Sequence, residues 1–207
     1  LLAETHRRLG HPKHLVLKNP ELSLHLPHAA ALMPQARFVI SLRDPKDTIA
    51  SMIGVGEKHR QKGVSSLLAR AGRDIAQLCR SYHSFYLPVL RALEENSGGL
   101  QQRLHFSNYE SLIQDTGRTV EELSRFCGIP LAADNIAAEG QWRSQAQDDE
   151  DELRGHPHWS AYLTELSGGP ISGASVGRYR EVLSEAEAAE IDRRCARLRR
   201  RFGYDDA

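Results

Sequence analysis

The stretch Arg37-Phe-Val-Ile-Ser-Leu-Arg-Asp-Pro-Lys-Asp-Thr-Ile-Ala-Ser-Met52 combines the signals of a strand, a turn and the start of a helix. Residues 38–42 form a short, β-branched, mostly apolar run, which is typical of a strand buried on both faces. After Arg43, the pair Asp44-Pro45 predicts a helix start, because aspartate caps free amides and proline fits the first helical position. Arg43 is therefore predicted at the carboxyl end of a buried strand, beside a helix N-terminus.

In open α/β sheets, ligands bind at that edge. A guanidinium there can hold a phosphate with two parallel N–H donors, and Ser51 lies two turns along the predicted helix. The pair Arg43 and Ser51 therefore indicates a phosphate site. The alternative is structural: an arginine that pairs with a neighbouring helix, and a serine that is merely tolerated on one.

The pattern strand-Arg-Asp-Pro-Lys-Asp-x-x-x-Ser resembles the 3′-phosphate-binding motif of the sulfotransferase family, which uses 3′-phosphoadenosine 5′-phosphosulfate (PAPS) as sulfuryl donor. The resemblance implies an α/β fold of the three-layer, P-loop-NTPase-like kind, with a central parallel sheet flanked by helices. It also implies that Arg43 and Ser51 hold the 3′-phosphate of PAPS. By length, the 207 residues predict one domain, and the resemblance implies that it is a single sulfotransferase domain.

The apolar run at residues 15–17 predicts a second strand, which would place Lys18 at the same ligand edge. Lys18 matches the lysine of a Lys-x-Pro element that sulfotransferases often carry before the 3′-phosphate arginine. By that resemblance it would offset charge on the bridging oxygen of the leaving phosphate. The alternative is a surface lysine in a turn.

A general base is expected near Lys18, and His25 is the residue that we predict for it. Glu21 and His28 are further candidates, and none of the three has a clear family match. His25 and His28 lie one turn apart on a helix predicted over residues 22–33. Because further ligands at zinc spacing are absent from the sequence, no metal is expected.

The polar, glycine-flanked stretch at residues 54–63 predicts a mobile loop. Its Lys58, His59 and Arg60 could face an anionic substrate or simply be solvated. From Ser66 onward, apolar residues recur at helical spacing as far as Leu93, so one long helix is expected.

Residues 103–106 predict the next strand, and Tyr109-Glu-Ser-Leu112 follows it. This resembles a Tyr-Glu-Asp-Leu element whose tyrosine lies near the adenine of PAPS, so Tyr109 is assigned to donor binding, with simple packing as the alternative. Near the C-terminus, Ser175-Val-Gly-Arg-Tyr-Arg180 resembles the family's Val-Gly-x-Trp element. The Arg-Lys-Gly triplet that often precedes that element is absent. Ser172, Ser175 or Arg178 could replace the triplet, and Arg178 is assigned to donor binding.

Two Ser/Thr-x-x-Glu patterns predict capping boxes, at residues 119–122 and 184–187. The first helix should end at Gly128, and the second should bury Ile191, Cys195 and Leu198. Between residues 132 and 175 the pattern is irregular, so Trp142 and Trp159 are expected in a mobile region. The resemblance to sulfotransferases implies that this region helps to shape the acceptor pocket.

Bulk composition limits the functional classes. The formal net charge is zero, which gives no general electrostatic case for nucleic acid, so the arginine cluster at residues 193–201 is interpreted as solvated. No apolar run reaches the roughly 20 residues of a membrane span. Three widely spaced cysteines predict reduced thiols and a cytoplasmic protein. The excess of 22 Arg over 5 Lys suggests a GC-rich, bacterial coding sequence.

Sulfotransferases also open with a strand and a Gly-rich loop whose amides cradle the 5′-phosphosulfate, and this sequence has no such loop. Because residues 1–10 look like a helix cut short, we expect that this loop precedes the chain. The predicted function is sulfuryl transfer from PAPS to a hydroxyl or amine of a small-molecule or glycan acceptor. A non-catalytic nucleotide-binding or scaffold protein, or a P-loop nucleotide kinase, is the alternative. The oligomeric state and the acceptor cannot be predicted.

Overall fold

The computed structural model describes residues 2–95, 99–132 and 173–204. The chain begins with α1 (Leu2–Arg8), a 3-10 turn (Pro20–His25), α2 (Leu26–Leu32), β1 (Phe38–Leu42), α3 (Pro45–Gln61), α4 (Leu67–Ala71) and α5 (Ile75–Glu94). It continues with α6 (Leu100–Arg103), β2 (Leu104–Asn108), α7 (Tyr109–Gln114), α8 (Thr116–Cys127), a 3-10 turn (Gly173–Ser175), α9 (Tyr179–Val182) and α10 (Glu185–Phe202).

The sheet of the described residues consists of β1 and β2, paired in parallel from Phe38 with Leu104 to Leu42 with Asn108. A parallel pair needs a long crossover, and α3, α4 and α5 supply it. The α/β class and the strands predicted near Val39 and Leu104 are confirmed. The three-layer, P-loop-like arrangement stays a prediction.

The strand predicted at residues 15–17 is wrong, because the structure places no strand there. Val16 is 78% exposed and Leu17 is 54% exposed. An apolar run forms a strand only where a neighbouring strand pairs with its backbone. The helix predicted over residues 22–33 is also divided, since a 3-10 turn covers Pro20–His25 before α2 begins at Leu26.

The two faces of β1 differ in burial. The prediction that this strand is buried on both faces is therefore wrong. Phe38 and Leu42 are buried, whereas Val39 is 40% exposed and Ser41 is exposed. A cavity of about 620 Å³ lies beside residues 37–41 and accounts for this exposure.

The loop predicted at residues 54–63 is wrong, because α3 continues to Gln61. A Cβ on Gly56 would lie 2.5 Å from the carbonyl oxygen of Leu68 in α4. Gly56 therefore lets two helices pack closely and does not interrupt α3. His59, fully buried near the end of α3, lies 2.9 Å from the Ser66 hydroxyl through its Nδ1 atom.

We expect Gly56→Ala to lower the free energy of unfolding by about 1–3 kcal/mol, because the added methyl group forces α3 and α4 apart. Gly54→Ala is the matched control in the same helix, since a Cβ there meets no atom within 4 Å. The better helix propensity of alanine should stabilise that variant by up to about 1 kcal/mol. Urea unfolding measures both, and equal changes in stability would contradict the packing role of Gly56.

The long helix predicted from Ser66 is two helices, α4 and α5. Gly72 ends α4 with a φ of +56°, and the Asp74 carboxylate caps α5 by accepting from the Gln77 amide at 2.9 Å. The apolar stripe is nevertheless core, as predicted: Leu78 and Val89 on α5 are fully buried.

The helix α8 begins earlier than its predicted capping box. Asp115 caps it by accepting from the Arg118 amide at 3.0 Å, so Thr119 lies inside the helix. The predicted end is confirmed, because Gly128 closes α8 in the left-handed conformation.

The capping box at Ser184 and Glu187 is confirmed at the start of α10. The Arg73 guanidinium donates to the Glu187 carboxylate at 2.6 Å and lowers the pKa of Glu187 to about 2. Ile191, Cys195 and Leu198 are buried, as predicted. Arg199 corrects the interpretation of the arginine cluster as solvated, since it is buried and contacts Asp192 and the Tyr204 carbonyl.

The core has two parts that meet along α5. One lies where α3, α5 and α10 pack together, and the other lies where α2 and α5 cover the sheet. The three cysteines are free thiols, as predicted. Among the described residues, no helix combines the length and apolar character needed to cross a membrane. Trp142, Trp159 and Ser172 lie outside the described residues.

Candidate anion-binding site

Arg43 directly follows the last residue of β1, and its guanidinium group is held by contacts with other parts of the chain. One Nη2 hydrogen bond of 2.5 Å goes to the backbone oxygen of Ser175, and the guanidinium carbon lies 5.2 Å from the centre of the Tyr109 ring. The Nε atom is buried and has no hydrogen-bond partner in the part of the chain that the structure describes. Arg43 is thus fixed in place by contacts with two other segments of the chain.

Two tyrosines support this arginine. The Tyr82 hydroxyl donates to the Arg43 carbonyl at 3.2 Å, and burial raises the pKa of Tyr82, so the hydroxyl keeps its proton. The hydroxyl groups of Tyr109 and Ser175 are 2.7 Å apart. The conformation of Arg43 is therefore set from both its backbone and its side chain.

Asp44 fixes the turn between β1 and α3. Its carboxylate accepts from the Lys46 amide at 2.6 Å, and its own amide donates to Glu110 at 2.9 Å. The second oxygen of Glu110 accepts from the Tyr204 hydroxyl at 2.9 Å. Burial is the main cause that raises the pKa of Asp44, and burial followed by the Glu110 charge raises that of Tyr204. The predicted cap is confirmed, and β2, α7 and the C-terminal end stabilise the turn.

Asp47 in the first turn of α3 has a role that the sequence did not reveal. Its buried carboxylate accepts from the Gly177 amide at 2.7 Å and from the Tyr179 amide at 2.9 Å. Gly177 has a φ of +74°, in the left-handed region that favours glycine. Asp47 thereby ties residues 173–182, which carry Ser175 and Arg178, to the start of α3. No local pattern links residues 130 positions apart.

Lys46 belongs to the packing between α3 and α10. Its ammonium is buried, 4.7 Å from the centre of the Tyr179 ring and 3.6 Å from the Asp192 carboxylate. The Arg180 guanidinium carbon is also 4.7 Å from the centre of that ring, so two cations contact Tyr179.

A cavity of about 390 Å³ lies between α3, α7 and residues 173–182. The four residues predicted to bind the donor all line it: Arg43, Ser51, Tyr109 and Arg178. The lining also includes Lys58, so three cations face one carboxylate, that of Asp47. The full lining is Arg43, Asp47, Ala50, Ser51, Gly54, Val55, Lys58, Tyr109, Ser175, Arg178 and Val182. This composition is suited to an anionic ligand.

Lys18 and His25, the two predicted catalytic residues, do not line that cavity. Lys18 lines the larger cavity beside β1, together with Phe38 and Tyr86, and the two cavities share no lining residue. His25 is exposed at the end of a 3-10 turn and lines neither cavity. The structure therefore gathers the predicted phosphate site but not the predicted catalytic pair.

Among residues 2–95, 99–132 and 173–204, no group of three or more His, Cys, Asp and Glu side chains is arranged to hold a metal ion.

The fold and the site define an α/β protein with a candidate anion cavity, lined by Arg43, at the carboxyl end of a parallel strand. A model described as the sulfotransferase family matches residues 1–133, which include Arg43, Ser51 and Tyr109 but not Arg178. Because this match covers more than half of the chain, the protein belongs to the sulfotransferase family. No curated protein and no solved structure matches the chain.

Proposed function

We propose that the protein transfers a sulfuryl group from PAPS to a hydroxyl or amine of a small-molecule or glycan acceptor. The observation that carries this proposal is the shared cavity of Arg43, Ser51, Tyr109 and Arg178 in a chain of the sulfotransferase family. Three of these residues lie in the matched part, and the fourth comes from the C-terminal segment that Asp47 holds.

The 3′-phosphate of PAPS would bind at Arg43. The Arg43 guanidinium lines the cavity and is fixed there by Ser175 and Tyr109. A phosphate oxygen against this guanidinium would gain a charge-assisted contact. Ser51, exposed on the cavity side of α3, would add a neutral hydrogen bond.

Tyr109 and Arg178 would contact the rest of the nucleotide. The Tyr109 ring lies against the Arg43 guanidinium, so a ligand phosphate at Arg43 brings the attached nucleoside near this ring. Arg178 is an exposed residue of the cavity lining and pairs with Glu181 at 3.6 Å. This ion pair is long and exposed, so the Arg178 side chain can turn toward the ligand.

In the reaction, the acceptor oxygen or nitrogen forms a bond to sulfur while the bond from sulfur to the bridging phosphate oxygen breaks. The products are the sulfated acceptor and adenosine 3′,5′-bisphosphate. A base takes the acceptor proton, and a cation offsets the charge on the departing oxygen. We propose Lys18 for the second role, because it lines the cavity beside β1. His25, the base predicted from the sequence, lines neither cavity and is not proposed for the first role. The cavity of about 620 Å³ that Lys18 lines would then hold the acceptor.

Transfer of an isotope-labelled sulfuryl group from PAPS by the full-length protein tests this function. A panel of phenolic, alcoholic, amine and glycan acceptors should include at least one that becomes labelled. Calorimetry should show tighter binding of adenosine 3′,5′-bisphosphate than of adenosine 5′-monophosphate. Binding with this preference but without transfer would indicate a non-catalytic nucleotide-binding protein. Phosphoryl transfer from ATP would indicate a kinase instead.

A further inference from the structure

Lys58 lies on the same face of α3 as the residues that line the anion cavity. It follows Ser51 by seven residues and Asp47 by eleven, and both spacings return a side chain to the same side of an α-helix. All three residues line the cavity of about 390 Å³. The sequence pattern had placed Lys58 on a loop, where no such relation to Ser51 exists.

The helix also leaves space between Lys58 and Ser51. Their Cα atoms are about 10 Å apart along the helix axis, and helical side chains lean toward the N-terminus, which directs Lys58 toward Ser51. Gly54 lies between them on the cavity wall, and a Cβ there would meet no atom within 4 Å. The wall between the two side chains is therefore open to a ligand.

The charge of a phosphate ligand explains why a further cation matters in this cavity. A phosphate monoester carries a charge of about −1.5 to −2 near neutral pH. The Asp47 carboxylate shares the cavity with Arg43, and Glu181 pairs with Arg178. Lys58 adds a third positive charge to the lining of this cavity, beside Arg43 and Arg178, which suits a phosphate ligand.

We propose that Lys58 is a further binding residue for the 3′-phosphate, so that α3 contributes both Ser51 and Lys58 to its recognition. This inference rests on the proposed function, because it takes the ligand to be a nucleotide with a 3′-phosphate. Lys58 thus adds to the discrimination between nucleotides with and without that group.

Calorimetry on the full-length protein with two nucleotides tests the role of Lys58. Lys58→Ala should weaken the binding of adenosine 3′,5′-bisphosphate by about tenfold and leave that of adenosine 5′-monophosphate unchanged. Lys58→Arg, which keeps the charge, should stay within about threefold of the wild type. Lys62→Ala is the matched control, because it removes the same charge one turn further on, outside the cavity lining.

The outcomes separate the two proposals. If the wild type prefers the bisphosphate while Lys58→Ala behaves like Lys62→Ala, the inference on Lys58 is overturned and the proposed function stands. Equal weakening for both nucleotides in Lys58→Ala would also overturn it, since that result indicates a loss of structure. If the wild type shows no preference for the bisphosphate, the proposed function fails and the inference falls with it. Thermal unfolding followed by circular dichroism identifies any variant that does not fold.

Discussion

Replacement of Arg43 by alanine is expected to weaken the binding of adenosine 3′,5′-bisphosphate by about tenfold to a hundredfold or more. Hydrogen bonds to charged groups contribute about 1.5–3 kcal/mol, and each 1.4 kcal/mol is a factor of ten in affinity. Arg43 is fixed by Ser175, Tyr82 and Tyr109, so little entropy is lost when it binds a phosphate. Calorimetry on the full-length protein measures the loss.

Three comparisons make that measurement specific. Ser51→Ala removes a neutral hydrogen bond and should cost about tenfold or less. Arg118→Ala removes an equal charge from an exposed side chain that pairs with Glu122 at 3.0 Å, and it should leave affinity unchanged. The analogue without the 3′-phosphate should bind equally well to wild type and Arg43→Ala. If Arg43→Ala weakens both nucleotides equally, or neither, the arginine is structural and the sulfotransferase site loses its central residue.

The part of the fold that the sequence predicts best is the unit of β1 and the start of α3. Its signals are all local: an apolar run, the Asp44 cap and Pro45 in the first helical turn. The capping box at Ser184 and the helix end at Gly128 succeed for the same reason. Each depends on a few neighbouring residues whose hydrogen-bonding needs can be counted from the sequence.

The wrong predictions of local structure arise where tertiary contacts, or their absence, outweigh the local sequence pattern. Two glycines and a polar run predicted a loop at residues 54–63, but the close approach of Gly56 to Leu68 favours a helix there. Residues 15–17 have the composition of a strand but no pairing partner in the described structure, and Val16 remains exposed. Intrinsic propensities are about 1 kcal/mol or less per residue, and packing contacts readily exceed them.

The candidate site shows the same division between local and distant information. Arg43 and Ser51 could be predicted because they lie on one strand-turn-helix unit. Tyr109 and Arg178 came from a resemblance to the sulfotransferase family, and the structure brings both to the cavity of Arg43. The hydrogen bond between Arg43 and Ser175 joins residues 132 positions apart, which no local pattern encodes.

Asp47 is the residue whose structural role is most underestimated from the sequence. From the sequence alone, a carboxylate in the first turn of a helix indicates only a favourable interaction with the helix dipole, an effect of about 0.3–1 kcal/mol. The structure shows it buried between two backbone amides of the segment that carries Ser175 and Arg178. Hydrogen bonds from amides to a carboxylate are charge-assisted and about twice as strong as neutral ones. Asp47 is therefore the main polar anchor between this segment and α3.

Asp47→Ala should release residues 173–182 and lower the free energy of unfolding by about 2–4 kcal/mol, because two charge-assisted hydrogen bonds are lost. Hydrogen exchange at the amides of Gly177 and Tyr179 should become about 30-fold faster or more, since each 1.4 kcal/mol is a factor of ten. Asp47→Asn keeps one acceptor oxygen and should show roughly half the effect.

The control for Asp47 is Asp115→Ala, which removes the cap of α8 at a cost of about 1 kcal/mol. It should leave exchange at Gly177 and Tyr179 as slow as in the wild type, apart from the small change in global stability. Exchange at these two amides that is no faster in Asp47→Ala than in Asp115→Ala would show that other contacts hold the segment. Lys46 would then be the next residue to test, because its ammonium lies 4.7 Å from the centre of the Tyr179 ring.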